Sequence, residues 1–187
     1  MIKLKENLTI YLISGKARHG KTTSANMIKD YYKSLGKNSL VTSYGKYIKM
    51  YVKEITDWNG DEATKPREIL QSLGTSIIRE KLGKQDFYVK RLDEDMDVYN
   101  EYVDAVMIDD VRLPIEMDYF IERYPERIKT IHLIRPEFES DLTDKQKNHV
   151  TEKGLDNYSN YDYTILNDGT LDDLRQKAYS IIEGIEK

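Results

Sequence analysis

The chain has no cysteine among its 187 residues. That excludes a disulfide framework, a thiolate zinc site and a cysteine nucleophile, and it suits a reducing compartment. No apolar run approaches the roughly 20 residues needed to cross a bilayer, and the opening Met1-Ile-Lys-Leu-Lys-Glu6 lacks the apolar stretch of a secretory signal. A soluble, intracellular protein with no membrane partner is expected. One sign of charge is not in large excess either: the formal net charge is −4 with 33% charged residues. There is thus no global basic field to hold a nucleic-acid backbone, and no polymeric nucleic-acid partner is expected. Internal repeats and low-complexity tracts are also missing, so the length reads as a single domain over 1–187.

What is present begins with Gly15-Lys-Ala-Arg-His-Gly-Lys-Thr22, a complete G-x-x-x-x-G-K-[ST] loop directly after the apolar run Leu8-Thr-Ile-Tyr-Leu-Ile-Ser14. Strand chemistry before it and helix chemistry after it (Ala25, Met27, Ile28) form the context such a loop requires. A loop closed by two glycines aims successive backbone N–H groups inward, and the following helix adds its positive end. Gly15, Lys16, Ala17, Arg18, His19, Gly20 and Thr23 are expected to wrap a nucleoside triphosphate, ATP, with Lys21 on the β and γ phosphates and Thr22 on Mg2+. The cations Lys16, Arg18, Lys21, Lys46, Lys49, Arg67 and Arg79 all fall in the same half of the chain.

Apolar runs alternate with amphipathic segments, which predicts an α/β fold with a doubly wound, five-stranded parallel sheet. Strands are expected near 8–14, 39–43, 103–108, 128–134 and 161–166. Helices fit near 21–35, 44–56, 66–82, 86–100, 115–123 and 171–185. Two stretches exceed a simple crossover: 46–100, read as an acceptor-binding insertion, and the aliphatic-poor 136–160, read as a lid region.

The third strand ends in Asp109-Asp110-Val-Arg112, carboxylates at the end where Mg2+ belongs; the pattern does not choose between Asp109 and Asp110. A regulatory GTPase is disfavoured, because Arg112 and Leu113 stand where a switch glycine is needed and no Asn-Lys-x-Asp guanine reader occurs. The segment Pro66-Arg-Glu-Ile-Leu-Gln-Ser-Leu-Gly-Thr-Ser-Ile-Ile-Arg79 puts Arg67 and Gln71 on one helical face, with Arg79 a later turn away. Arginine forks match phosphate oxygens, and a phosphate dianion attacks without a base, so an acceptor that already carries phosphate needs positioning arginines above all. The competing reading of Arg67 and Arg79 is a surface pairing with Glu68 or Glu80.

The Ser14–Thr22 loop, Ser43-Tyr44 with Lys49, Arg67-Glu-Ile-Leu-Gln-Ser-Leu-Gly-Thr75 with Arg79, Asp110-Val-Arg112, Arg135-Pro136, His149-Val-Thr-Glu152 and Asn167-Asp-Gly-Thr-Leu171 occur in that order. The series resembles the deoxynucleoside monophosphate kinases of bacteriophages and their bacterial relatives, a P-loop kinase family. The resemblance implies reversible Mg2+-dependent transfer of the ATP γ-phosphoryl group to a deoxynucleoside 5′-monophosphate, in a bacterial cytoplasm or a phage-infected one, by a monomer or homodimer. It gives catalytic roles to Lys21, Arg79 and Arg112 and favours Asp110 over Asp109 beside Thr22 at the metal. It puts Ser43, Tyr44, Lys49, Arg67, Gln71, Arg79, Arg112, His149 and Glu152 at the acceptor, and Arg135, Asn167 and Gly169 at ATP. The chain departs from the family at Lys46-Tyr-Ile-Lys49, where Asp-Pro-Leu-Lys is common, and at Val150-Thr151, where a Ser is common. Those changes leave the preferred base open. Rival readings are dephospho-coenzyme A kinase or another small-metabolite kinase on this fold, and a partitioning-type switch ATPase, for which Lys16 stands at the signature position but the expected glycine pair is Ala17-Arg18.

Overall fold

A computed structural model describes residues 8–138 and 142–186. Five strands, β1 (Thr9–Ser14), β2 (Ser39–Thr42), β3 (Ala105–Val111), β4 (Ile128–Ile134) and β5 (Tyr163–Leu166), form one sheet in the order β2-β3-β1-β4-β5. Every neighbouring pair is parallel. This is the expected doubly wound sheet. Its central strands read as continuous apolar runs because both faces are covered. Along β1 the side chains alternate: Ile10 and Leu12 pack with Tyr88, Leu92, Met96, Met117 and Phe120. Tyr11 and Ile13 face the other way, onto Ala25, Ile28, Leu174, Ala178 and Ile182.

The helices on that second face are α1 (Lys21–Ser34) and α8 (Leu171–Ile185). The first face carries α2 (Gly45–Ile55), α4 (Phe87–Tyr102) and α5 (Pro114–Arg123). Between them in sequence lies α3 (Arg67–Gln71), which runs without a break into a π-helix over Ser72–Lys81. The lid region contributes two single-turn helices, α6 (Asp144–Lys147) and α7 (Val150–Lys153), which the sequence did not announce; its residues 139–141 lie outside the described part. Among the described residues no helix is long and apolar enough to cross a membrane.

Two differences from the sequence reading bear on the site. First, β3 extends to Val111, so both aspartates lie within the strand and not beyond it. Its register with β1 shifts between the pairs Leu12 with Ile108 and Ser14 with Val111, a bulge that inserts one residue at Asp109-Asp110. Second, the expected α-helix over 66–82 is α-helical only for its first turn. The wider i→i+5 winding that follows passes Gly74 against α2, where an added Cβ would meet Ile48 Cδ1 at 2.9 Å. It turns Thr75, Ile78 and Arg79 inward.

Candidate active site

The loop of 15–22 joins β1 to α1 at the carboxyl edge of the sheet, where β1 lies between β3 and β4, the crevice at which such sheets bind ligands. Gly15 has φ 140° and its absent Cβ would stand 2.5 Å from the Leu133 carbonyl oxygen, so the turn closes directly on the β4 backbone. Arg18 holds φ 62°, a left-handed conformation for a residue with a side chain. The first turn of α1 carries no acidic residue, and Gly20 at its N-cap supplies no side-chain cap, which leaves that turn's N–H groups for an anion. Gly15→Ala should abolish nucleotide binding, read as loss of the ATP-induced rise in Tm, because both the φ and the contact are forbidden to alanine.

Lys21 is buried, and its Nζ donates to the Gly15 and Lys16 carbonyls at 2.7 and 2.8 Å. Burial, with Arg112 adding repulsion, pushes its pKa down to about 8. The loop opens into a cavity of 820 Å3 lined by Lys21, Thr22, Lys49, Lys65, Arg67 and Arg112 among others. Ser43 and Thr23 line it as well. Arg67 is exposed and pairs with Glu62 at 3.3 Å, neither Glu68 nor Glu80. Lys46 is withdrawn from this group: it is ion-paired to Asp95 and hydrogen-bonded to Tyr99, tying α2 to α4.

The two aspartates of β3 have different partners. Thr22 Oγ1 donates to Asp109 Oδ2 at 2.5 Å. Asp110 accepts the backbone N–H groups of Tyr44 and Gly45, both at 2.8 Å, and anchors the start of α2. The preference for Asp110 beside Thr22 is therefore corrected to Asp109.

A second, narrower cavity of 170 Å3 adjoins the first. Tyr44, Gln71, Arg79, Tyr88, Glu116 and His149 line it, and Asp110 and Arg112 border both cavities. Arg79 is buried and donates from Nη2 to Glu116 Oε1 at 2.8 Å. It too avoids Glu80. The other oxygen of Glu116 accepts the backbone N–H groups of Arg112 and Leu113 at 2.8 and 3.1 Å, at the N-terminus of α5. Burial pushes the Glu116 carboxyl up to about 7, against the pull of Arg79. Glu116 and Tyr88 both escaped the sequence reading; Pro114-x-Glu116 signals only a helix start.

From the lid region, Glu152 reaches the sheet: it is ion-paired to Arg112 Nη1 and accepts the Ala17 N–H at 3.0 Å. It lines two side cavities beside Lys16 and His19 and not the 170 Å3 cavity. His149 caps α7, its Nδ1 2.8 Å from Thr151 Oγ1. Lys16 pairs with Asp156. The residues expected at ATP divide: Asn167 Nδ2 donates to the His19 carbonyl and so braces the loop, while Gly169 packs on Asp173 at the start of α8. Arg135 lies over the Phe138 ring, and its N–H is hydrogen-bonded to His19.

The family model for deoxynucleotide monophosphate kinase matches residues 35–178. The chain belongs to that family. It is thereby a kinase acting on nucleotides or small metabolites. No curated protein sequence matches it. Among solved structures it is similar to the Mycobacterium tuberculosis APS kinase CysC, with TM-score 0.54 and 11% identity over 96% of this chain and 99% of that one. The same enzyme solved with AMPPNP and APS gives the same figures. The dephospho-CoA kinase of Campylobacter jejuni follows at TM-score 0.49 and 16% identity, over 95% and 97% of the two chains. At 11% identity the likeness to the APS kinase shows the fold alone, that of the P-loop kinases.

Proposed function

We propose that the protein transfers the γ-phosphoryl group of ATP to the 5′-phosphate of a deoxynucleoside monophosphate, with Mg2+, to give the diphosphate and ADP. The observation that carries this reading is the shared wall: Asp110 and Arg112 line both the phosphate-loop cavity and the narrower one beside it. Donor and acceptor phosphates would meet there, in front of Arg112. An acceptor phosphate oxygen attacks the γ phosphorus, the bond to the ADP oxygen breaks, and no proton need be removed from a dianionic acceptor. Lys21, Lys49, Lys65 and Arg67 supply the positive charge that gathers the phosphates, and Arg112 the fork that aligns them.

The residues fit a magnesium ion. One hydroxyl and one carboxylate, Thr22 and Asp109, converge within 2.5 Å at the mouth of the loop. Among the described residues no cluster of three acidic or histidine side chains competes with them. Mg2+ is commonly held by one or two carboxylates together with substrate phosphates and water. When bound it would neutralise phosphate charge. Asp109→Asn should weaken Mg2+ activation by roughly 10–100-fold, seen as a shift in the Mg2+ titration of turnover, whereas Asp110→Asn should act through α2 on the acceptor KM.

The direct test is ADP release from Mg-ATP with each common ribo- and deoxyribonucleoside monophosphate. Turnover that depends on one deoxynucleoside monophosphate is expected. Hydrolysis indifferent to every monophosphate would sink the reading.

A further inference from the structure

Two buried polar groups on residues that line the smaller cavity have no partner. Tyr88 is fully buried, and its hydroxyl makes no hydrogen bond. Arg79 is 7% exposed, and its Nε–H is likewise unpaired although Nη2 is held by Glu116. The two stand together: the Arg79 guanidinium lies 5.2 Å from the centroid of the Tyr88 ring, and both line the same 170 Å3 space. A buried donor without a partner is costly, and two such groups on residues that line one cavity mark a place where a ligand seated between them completes the hydrogen bonds.

The chemistry of the cavity says which part of a ligand belongs there. The exposed cations Lys49 and Arg67 belong to the larger cavity, while Arg79 already faces a carboxylate and offers little net charge to a dianion. Apolar atoms of Ile48, Leu70 and Tyr44 make up much of the lining. At Gly74 even a single Cβ would meet Ile48 at 2.9 Å and stand 3.9 Å from the Tyr88 hydroxyl, so the glycine keeps the space narrow and open together. A slot with apolar walls and two fixed donors suits a planar ring with hydrogen-bond acceptors on its edge.

We propose that Tyr88, with the Nε–H of Arg79, reads the edge of the acceptor's base, and that the acceptor phosphate lies in the neighbouring cavity on Lys49, Arg67 and Arg112. This rests on the monophosphate-kinase reading above and adds to it a specificity-determining residue. Glu116 is a positioning residue in this scheme: its carboxylate holds Nη2 and so fixes the guanidinium against the Tyr88 ring.

Stability and activity should respond in opposite directions, which separates this role from a structural one. Tyr88→Phe removes an unpaired buried hydroxyl and keeps the ring, so the free protein should melt no lower than wild type. The acceptor KM should rise about tenfold, the value of one lost hydrogen bond, while the KM for ATP stays the same. Arg79→Lys, which keeps a cation toward Glu116 but lacks Nε, should raise the acceptor KM likewise. Analogues of the accepted monophosphate with one base nitrogen or carbonyl deleted complete the test. One of them should cost the wild type about as much as Tyr88→Phe does and cost that variant nothing further. An unchanged acceptor KM in Tyr88→Phe, in an enzyme that turns over, overturns this inference and leaves the kinase reading standing. Equal weakening of ATP and acceptor also overturns it. Absence of turnover with every monophosphate overturns both.

Discussion

Lys21→Ala is expected to lower kcat by a factor on the order of 10² to 10³, the loss found when one preorganised donor to transition-state charge is removed. The lysine ammonium is held at the start of α1, where it donates to the Gly15 and Lys16 carbonyls. Its depressed pKa, about 8, records a charge held where water is scarce and Arg112 is near. An incoming polyphosphate reverses that disadvantage, because its negative charge supplies what burial removed. The attraction grows as charge moves onto the leaving ADP oxygen, so the effect should fall on kcat as well as on ATP binding. Steady-state ADP release, with ATP affinity measured separately by calorimetry, separates the two. Since the amine contacts only loop carbonyls, the sheet should be untouched and the circular dichroism unchanged. A variant within threefold of wild type would remove Lys21 from the chemistry.

How far the sequence could be read follows from the range of the interactions involved. The phosphate loop is local: eight consecutive residues between a strand and a helix carry their own geometry, and Gly15, Gly20 and Lys21 stand as the spacing requires. The five-stranded doubly wound parallel sheet followed from a general rule of α/β alternation, whereas the order of its strands was not predicted. The choice between Asp109 and Asp110 was not local. It turns on what other elements bring to each carboxylate, Thr22 of α1 to Asp109 and the Tyr44 and Gly45 N–H groups to Asp110, which no spacing within β3 reveals. The π winding after Gln71, which passes Gly74 against Ile48 of α2, was equally hidden. Lys46 looked like a phosphate ligand by proximity in sequence, but Asp95 on another helix claims it. Glu116 and Tyr88 lie outside every motif and acquire meaning only when α4 and α5 bring them beside Arg79.

Glu116 is also where the largest loss of stability is expected. Its carboxylate accepts three hydrogen bonds, one from Arg79 and two from the backbone at the head of α5. Glu116→Ala would leave the Arg79 cation buried without its counter-charge and two N–H groups without an acceptor, a change worth about 3–5 kcal/mol. For a chain of this size each kcal/mol moves Tm by roughly 2–4 °C, so a fall on the order of 10 °C should appear in a thermal melt. Replacing Arg79 by Met and Glu116 by Gln together should recover much of it, since the uncompensated charge is then gone. Glu116→Gln alone should cost less than Ala, because the amide oxygen still caps α5. The pH dependence has a definite sign. Burial raises the folded-state pKa of Glu116 from 4.5 to about 7, so between those values the native protein binds a proton that the unfolded chain does not. The wild type should therefore gain stability from this group as pH falls from about 7 toward 4.5, and lose that advantage as pH rises through 7. Denaturant titrations at pH 5 and pH 8 check it: the stability difference between wild type and Glu116→Gln should be larger at pH 5, and a difference independent of pH would show that the carboxyl is ionised throughout.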